Sequence, residues 1–225
     1  MAINDRFKDA PWVTPKSVII GGAGGIGSWL TLFLSRIGYE IYLYDDDLFE
    51  EHNMGGQFVN KECVGISKVD SIAGLVVNFG GTGIINTYHE KYLRDSMAHE
   101  FMFSAFDNMQ ARKDMFENWF EYNRKHEHVN ALFIDGRLTM EQLQIFCVTP
   151  SHTKVYREKH LFSDEEVADA ACTMKQTSHS AAMIAGHMTG FFTNHITNIV
   201  QKSVLRDVPF QYVYFIPLNL RNDEF

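Results

Sequence analysis

Short apolar runs alternate along this chain with longer stretches in which apolar residues recur every three or four positions. The run Ser17-Val18-Ile19-Ile20, reaching residue 21, reads as a buried strand. Gly25 to Ile37 follows at helical spacing, with Trp29, Leu30, Leu32, Phe33 and Leu34 as apolar surface and Gly38 suited to the C-terminus. Glu40-Ile-Tyr-Leu-Tyr44 is a second strand, and Val69, Ile72, Ala73, Val76 and Val77 predict a helix over about 67–78. Residues 83–88 and 101–106 read as the next two strands. Asn108 to about Lys125 reads as a helix with Met109, Met115, Trp119 and Phe120 on one side. Strands at 131–134 and 143–148 come next. Residues 151–176, polar and without a period, predict a long crossing loop. A helix over Ser178 to Lys202 and a strand over 210–215 close the pattern.

Strand, glycine loop, helix, strand is the order of a parallel βαβ unit. No repeat, low-complexity tract or Pro/Gly linker divides the chain, so one α/β domain over 1–225 is expected. Within it, 1–150 would be a nucleotide-binding core, 151–176 a crossover loop, and 177–225 a C-terminal helix and strand.

Composition narrows the class. At 225 residues and 45% hydrophobic, the chain can bury one sizeable core. A formal charge of −8 argues against nonspecific nucleic-acid binding, which needs a cationic face. Cys63, Cys147 and Cys172 are too few and too scattered for a disulfide framework, which fits a reducing cytoplasm. The N-terminus lacks the pattern of a signal peptide, and no apolar run has the length of a membrane span. A cytoplasmic, membrane-free protein is the expectation.

The chemistry starts at the glycine loop, Gly22-Ala23-Gly24-Gly25-Ile26-Gly27-Ser28. Such loops bring backbone N–H groups to phosphate oxygens at the positive end of a helix. Asp45 lies about 20 residues on, in range of a ribose, and would serve NAD or ATP equally well. A solvated turn capping the next helix is the plainer reading of Asp45-Asp46-Asp47. Lys68 follows a glycine turn at a helix start, where a cation is electrostatically misplaced unless phosphate neutralises it. Otherwise it is a surface lysine. Asp107 ends a buried strand at the edge where parallel sheets bind ligands, and a carboxylate beside polyphosphate is a natural Mg²⁺ ligand. It could also cap the helix starting near Asn108.

Taken in order, Gly-x-Gly-Gly-x-Gly-Ser, Asp-x-Asp, Asn53-Met-x-x-Gln57, Gly-x-x-Lys-Val and Asp-Asn-x-x-x-Arg112 resemble the ThiF/MoeB adenylyltransferases, kin of the ubiquitin-activating enzymes. The resemblance runs from about residue 17 to 200. It implies a Rossmann-like, doubly wound α/β fold with a mostly parallel sheet and a mixed C-terminal extension, in a homodimer. It implies adenylation of the C-terminal carboxylate of a small ubiquitin-fold (β-grasp) or sulfur-carrier protein with a Gly-Gly-like tail, using ATP and Mg²⁺. Gly22, Gly24, Gly25 and Gly27 would then belong to the phosphate loop and Asp45 to the ribose. Asp47, Asn53, Gln57, Lys68, Asn108 and Arg112 would serve the nucleotide, and Asp107 the Mg²⁺. Arg6 stands upstream of the first strand, as does an arginine that this family reaches across the dimer to the γ-phosphate.

One position departs from the pattern: Gly56 stands where the family has arginine before glutamine. That removes a fixed, delocalised charge. Arg6 or Arg112 would compensate, or activity would be weak. Arg112 has a plain alternative as a helix-face residue. Cys172-Thr173 resembles the catalytic cysteine context of autophagy-type activating enzymes, so Cys172 is a candidate thioester nucleophile, with packing as the alternative. Cys63 and Cys147 read as buried fillers. The ten histidines form no metal motif, and His179, His187 and His195 share one helix face. Two readings compete with adenylation: an NAD(P)-dependent oxidoreductase, and a noncatalytic relative that binds nucleotide as a scaffold.

Overall fold

The computed structural model describes residues 7–13, 16–81, 83–139, 141–162 and 177–225. One eight-stranded sheet runs through it in the order β3-β2-β1-β4-β5-β6-β7-β8. The strands β1 (Ser17–Gly21), β2 (Glu40–Tyr44), β3 (Ile85–Tyr88), β4 (Phe101–Ser104) and β5 (Leu132–Thr139) are parallel. β6 (Gln142–Val148), β7 (Gln211–Phe215) and β8 (Leu220–Glu224) continue it antiparallel. This is the Rossmann-like sheet with a mixed C-terminal extension.

The central strands are buried on both faces, which explains their unbroken apolar runs. On one face α1 (Gly25–Arg36) packs against α5 (Ser178–Gln201), with Leu30, Leu34, Met188 and Phe192 inaccessible to solvent. Phe192 meets Tyr39, Phe101 and Phe103 ring to ring. On the other face α3 (Met109–Lys125) lays Met115, Phe116 and Trp119 against Phe133 and Tyr156. α2 (Lys68–Asn78) starts at Ser67, whose hydroxyl caps it by accepting from the Asp70 amide.

The structure corrects several boundaries. The described part of the expected loop is not a loop: a turn of 3₁₀ helix at Pro150–His152 leads into α4 (Thr153–His160), and 163–176 lie outside the described residues. Only Tyr156 of α4 is buried, so a single anchor with a polar surround left no period to read. β5 runs to Thr139 rather than ending at 134, and β4 ends at Ser104 rather than 106. β8 was missed because Leu-Arg-Asn-Asp-Glu is an exposed edge strand with no alternation. Cys63 and Cys147 are buried, as expected of fillers, and burial alone pushes the Cys147 thiol upward. Two of the helix-face histidines are committed to packing: His195 Nε2 lies 2.8 Å from the Asn130 carbonyl oxygen, and the His187 ring stacks on Phe191 and lies tilted against Tyr212.

Candidate active site

A crevice of about 550 Å³ opens over the carboxyl ends of β1, β2, β4 and β5. Its floor is the glycine loop. Gly22 adopts φ +91°, and a Cβ there would sit 2.8 Å from the Ala105 carbonyl oxygen, so only glycine fits. At Gly27 a Cβ would meet the Gly22 carbonyl at 1.8 Å, so this glycine allows the loop to fold onto its own helix rather than lining the crevice. At Gly24 an added Cβ would meet nothing within 4 Å. That open space lies beside Gly25 and Ile26, at the start of α1, which has no side-chain cap and no acid in its first turn. A helix start left uncapped and facing a cavity suits an anion.

Asp45 terminates β2 with its side chain only 11% exposed. Its Oδ2 accepts from the Ala23 amide at 2.7 Å and its Oδ1 from the Asp47 amide at 2.9 Å. It is therefore no helix cap but a strut holding the glycine loop. Burial raises its pKa, partly offset by Lys68 and by the two amides. Lys68, the first residue of α2, is buried and not a surface lysine. Its Nζ bonds Asp47 Oδ2 at 2.6 Å and lies 3.9 Å from Asp45 Oδ1.

Asn53, half-buried in a 3₁₀ turn, accepts from the Glu50 amide through Oδ1. Gln57 also lines the crevice, and its buried Oε1 has no hydrogen-bond partner among the described residues. Gly56 sits between them on the crevice wall. On the opposite side, Asp107 is exposed at the rim. The cap of α3 is Asn108, whose Oδ1 accepts from the Ala111 amide, and not Asp107. Asp107 Oδ1 accepts only a long bond, 3.4 Å, from Asn108 Nδ2, and its carboxylate oxygens fit the ligand chemistry of Mg²⁺.

Arg112 is not a plain helix-face residue. Its guanidinium pairs with fully buried Asp135 and donates to the carbonyls of Phe106 and Gly136. Asp135 also binds Arg137 Nε at 2.7 Å and the Tyr156 hydroxyl at 2.9 Å. Burial would raise the Asp135 carboxyl, but the Arg112 and Arg137 charges outweigh it and hold it below its ordinary range.

The crevice thus gathers Gly22, Gly24, Gly25, Asp45 and Asp47 with Asn53, Gln57, Lys68, Asp107, Asn108 and Arg112. Arg6 and Cys172 lie outside the described residues. Sequence reasoning missed Arg137, Thr139 and Phe162, which form the β5 side of the crevice. Asp135-Gly136-Arg137, two charges alternating on one face after an apolar strand, was the signal available.

Comparison with known proteins places this arrangement. The Adenylyltransferase and sulfurtransferase MOCS3-1 of Zea mays is 28% identical over 135 residues, covering 57% of this chain and 29% of its own. The Ubiquitin-like modifier-activating enzyme 5 of Bombyx mori is 28% identical over 133 residues, covering 48% of this chain and 34% of its own. The chain matches about a third of the length of these curated relatives. Among solved structures, E. coli MccB with ATP superposes at TM-score 0.69 and 14% identity, over 99% of this chain and 66% of that one. PaaA superposes at 0.66 and 17%, over 95% and 64%. These two likenesses are of fold. The ThiF family model matches residues 13–215, and the chain belongs to the ThiF family.

Proposed function

We propose that this protein activates a carboxylate by ATP-dependent adenylation, the acceptor being the C-terminus of a small β-grasp or sulfur-carrier protein with a Gly-Gly-like tail. The observation that carries this reading is the convergence of the open glycine loop, Lys68 and Asp107 on one crevice. Membership of the ThiF family supports it, as do the printed names of the relatives.

The acceptor carboxylate attacks the α-phosphorus and pyrophosphate leaves. A carboxylate is already anionic at neutral pH, so no general base is required. The demand falls on groups that offset phosphate charge. Backbone N–H groups at Gly24, Gly25 and Ile26 and the Lys68 ammonium supply that here. Asp45 orients the loop and offers a carboxylate to the ribose. Asp107 would hold Mg²⁺, which when bound neutralises phosphate oxygens. Lys68 now rests on Asp47, so nucleotide binding exchanges one anionic partner for another. Arg6 from a partner copy in a homodimer, and transfer of the acyl group to Cys172, extend the same reading. A single domain in a reducing cytoplasm fits both.

A second reading, a nucleotide-binding scaffold without turnover, is favoured by one observation: Gly56 lines the crevice at the position where the sequence resemblance implies an arginine. ATP–pyrophosphate exchange decides between the two. With candidate β-grasp proteins ending in Gly-Gly, exchange should require Mg²⁺ and the acceptor and should vanish in Lys68→Ala. Tight ATP binding with no exchange for any acceptor would leave the scaffold.

A further inference from the structure

The turn that carries Asp107 belongs to no regular element. β4 ends at Ser104, the Ala105 amide donates to the Gly21 carbonyl at 2.8 Å, and α3 begins at Met109 behind its Asn108 cap. Phe106 and Asp107 lie between. A peptide unit is planar, so the Phe106 carbonyl and the Asp107 nitrogen share one rigid plane. A group that grips this carbonyl therefore orients the backbone from which the Asp107 carboxylate projects.

The grip comes from a buried network. Arg112 Nη2 donates to the Phe106 carbonyl, while its Nη1 donates to Asp135 Oδ1 and, at 3.1 Å, to the Gly136 carbonyl. Asp135 is itself held from its other oxygen. Its Oδ2 accepts from Arg137 Nε at 2.7 Å and from the Tyr156 hydroxyl at 2.9 Å. Tyr156 is wholly buried, with the rings of Phe116, Phe133 and Phe146 centred 4.9, 6.0 and 5.5 Å away. Its helix, α4, is clamped to α3 by Arg157, which bonds Glu117 at 2.6 and 2.9 Å. Burial and the Asp135 carboxylate push the Tyr156 hydroxyl well above its ordinary range, so it remains a donor. Neither Tyr156 nor Asp135 lines the crevice. Apolar side chains of similar volume would join α3, α4 and β5 as firmly. What a charged fork adds is a fixed direction.

We propose that Tyr156 and Asp135 are positioning residues for the metal: acting through Arg112, they hold the Phe106–Asp107 peptide so that the Asp107 carboxylate meets Mg²⁺ in the crevice. This rests on the reading of Asp107 as the metal's carboxylate. Mg²⁺ takes a near-ideal octahedron of oxygens at about 2.0–2.1 Å, so a small tilt of that peptide lowers metal affinity. Neither Tyr156 nor Asp135 needs to touch the ion or the nucleotide.

The test titrates Mn²⁺, which shares the oxygen-ligand preference of Mg²⁺, into the full chain loaded with a non-hydrolysable ATP analogue, counting free Mn²⁺ by its paramagnetic signal. Asp107→Asn should weaken Mn²⁺ at least about tenfold. Tyr156→Phe keeps the ring packed and both guanidiniums on Asp135. It should weaken Mn²⁺ at least about threefold, and change the affinity for the analogue in EDTA by less than about twofold. On the Asp107→Asn background Tyr156→Phe should weaken Mn²⁺ no further, because the hydroxyl acts through that carboxylate. Arg112→Lys, which lacks the fork that spans Asp135 and the Phe106 carbonyl, is the second variant and should weaken Mn²⁺ as well. Normal Mn²⁺ affinity in either folded variant overturns the positioning role. So does an equal loss from Tyr156→Phe on both backgrounds, which a merely structural effect would give. Normal Mn²⁺ affinity in Asp107→Asn overturns the metal reading of Asp107 and this role with it. The titration uses no acceptor, so absence of exchange with every acceptor, beside an intact Tyr156 effect, overturns adenylation alone.

Discussion

The Ala23 amide donates to Asp45 Oδ2 at 2.7 Å, tying the end of β2 to the glycine loop that leaves β1. The acid expected to meet a ribose is thus already part of the loop's support. That bond holds the loop from within the fold, which lowers the ordering cost of binding a nucleotide.

This gives the two loop glycines different fates. Gly22→Ala forces a Cβ against the Ala105 carbonyl at a φ of +91°, and should cost about 2 kcal/mol or more. Gly24→Ala meets nothing in the fold and should melt within about 0.5 kcal/mol of the wild type. Its methyl would project into the space left for phosphate, so its ATP affinity should fall at least about tenfold. Chemical denaturation beside calorimetric ATP titration checks both. A Gly24→Ala protein with normal ATP affinity would move the phosphates elsewhere.

Lys68 is the cation nearest the buried Asp45, besides bonding Asp47. Lys68→Met should abolish exchange by about a hundredfold or more, since it removes a preorganised charge. It should also destabilise the protein by about 1–3 kcal/mol, because Asp45 loses its compensating charge. Lys68→Arg should retain the fold and lose most of the exchange. Unchanged exchange in Lys68→Met would sink the catalytic role.

Asp107 is exposed and caps nothing, so Asp107→Asn should leave the unfolding midpoint nearly untouched, within about 0.5 kcal/mol. Exchange should nonetheless fall about a hundredfold and require much higher Mg²⁺. Rates measured across a Mg²⁺ series test this, and a parallel loss of stability would point to a structural role instead.

Asp135 gives a pH signature. Its folded pKa lies below the ordinary 3.8, so its contribution is fully present above that value and is lost as pH falls through the folded one. Asp45 runs the other way. Its folded pKa is raised, so its contribution is present below 3.8 and lost as pH rises through the folded value. Asp135→Asn leaves two buried guanidiniums without their anion and should cost about 3–5 kcal/mol at pH 7. The gap to wild type should narrow in urea melts taken from pH 5 down to pH 3. A gap that widens on acidification would contradict the depressed Asp135.

The parallel core was legible because burial on both faces leaves long apolar runs, as in β1 and β4, and because the loop needs glycine at Gly22 for steric reasons alone. β8 and α4 were not legible. Each is anchored by neighbours rather than by a pattern of its own: β8 by pairing to β7, and α4 by Tyr156 reaching Asp135.

By itself the sequence determined the βαβ order, the glycine loop and the residue types able to handle phosphate, since local periodicity and backbone sterics are written residue by residue. Tertiary structure alone decided which charges meet. Lys68 reaches Asp45 from 23 positions away, and Arg112 and Arg137 converge on Asp135 from α3 and β5. Such partnerships depend on strand order and on how far one strand outruns its neighbour, which no local pattern encodes. For that reason Arg112, a candidate nucleotide ligand with a helix-face alternative in the sequence, is a buried pillar against Asp135, and Arg137 stands on the crevice wall.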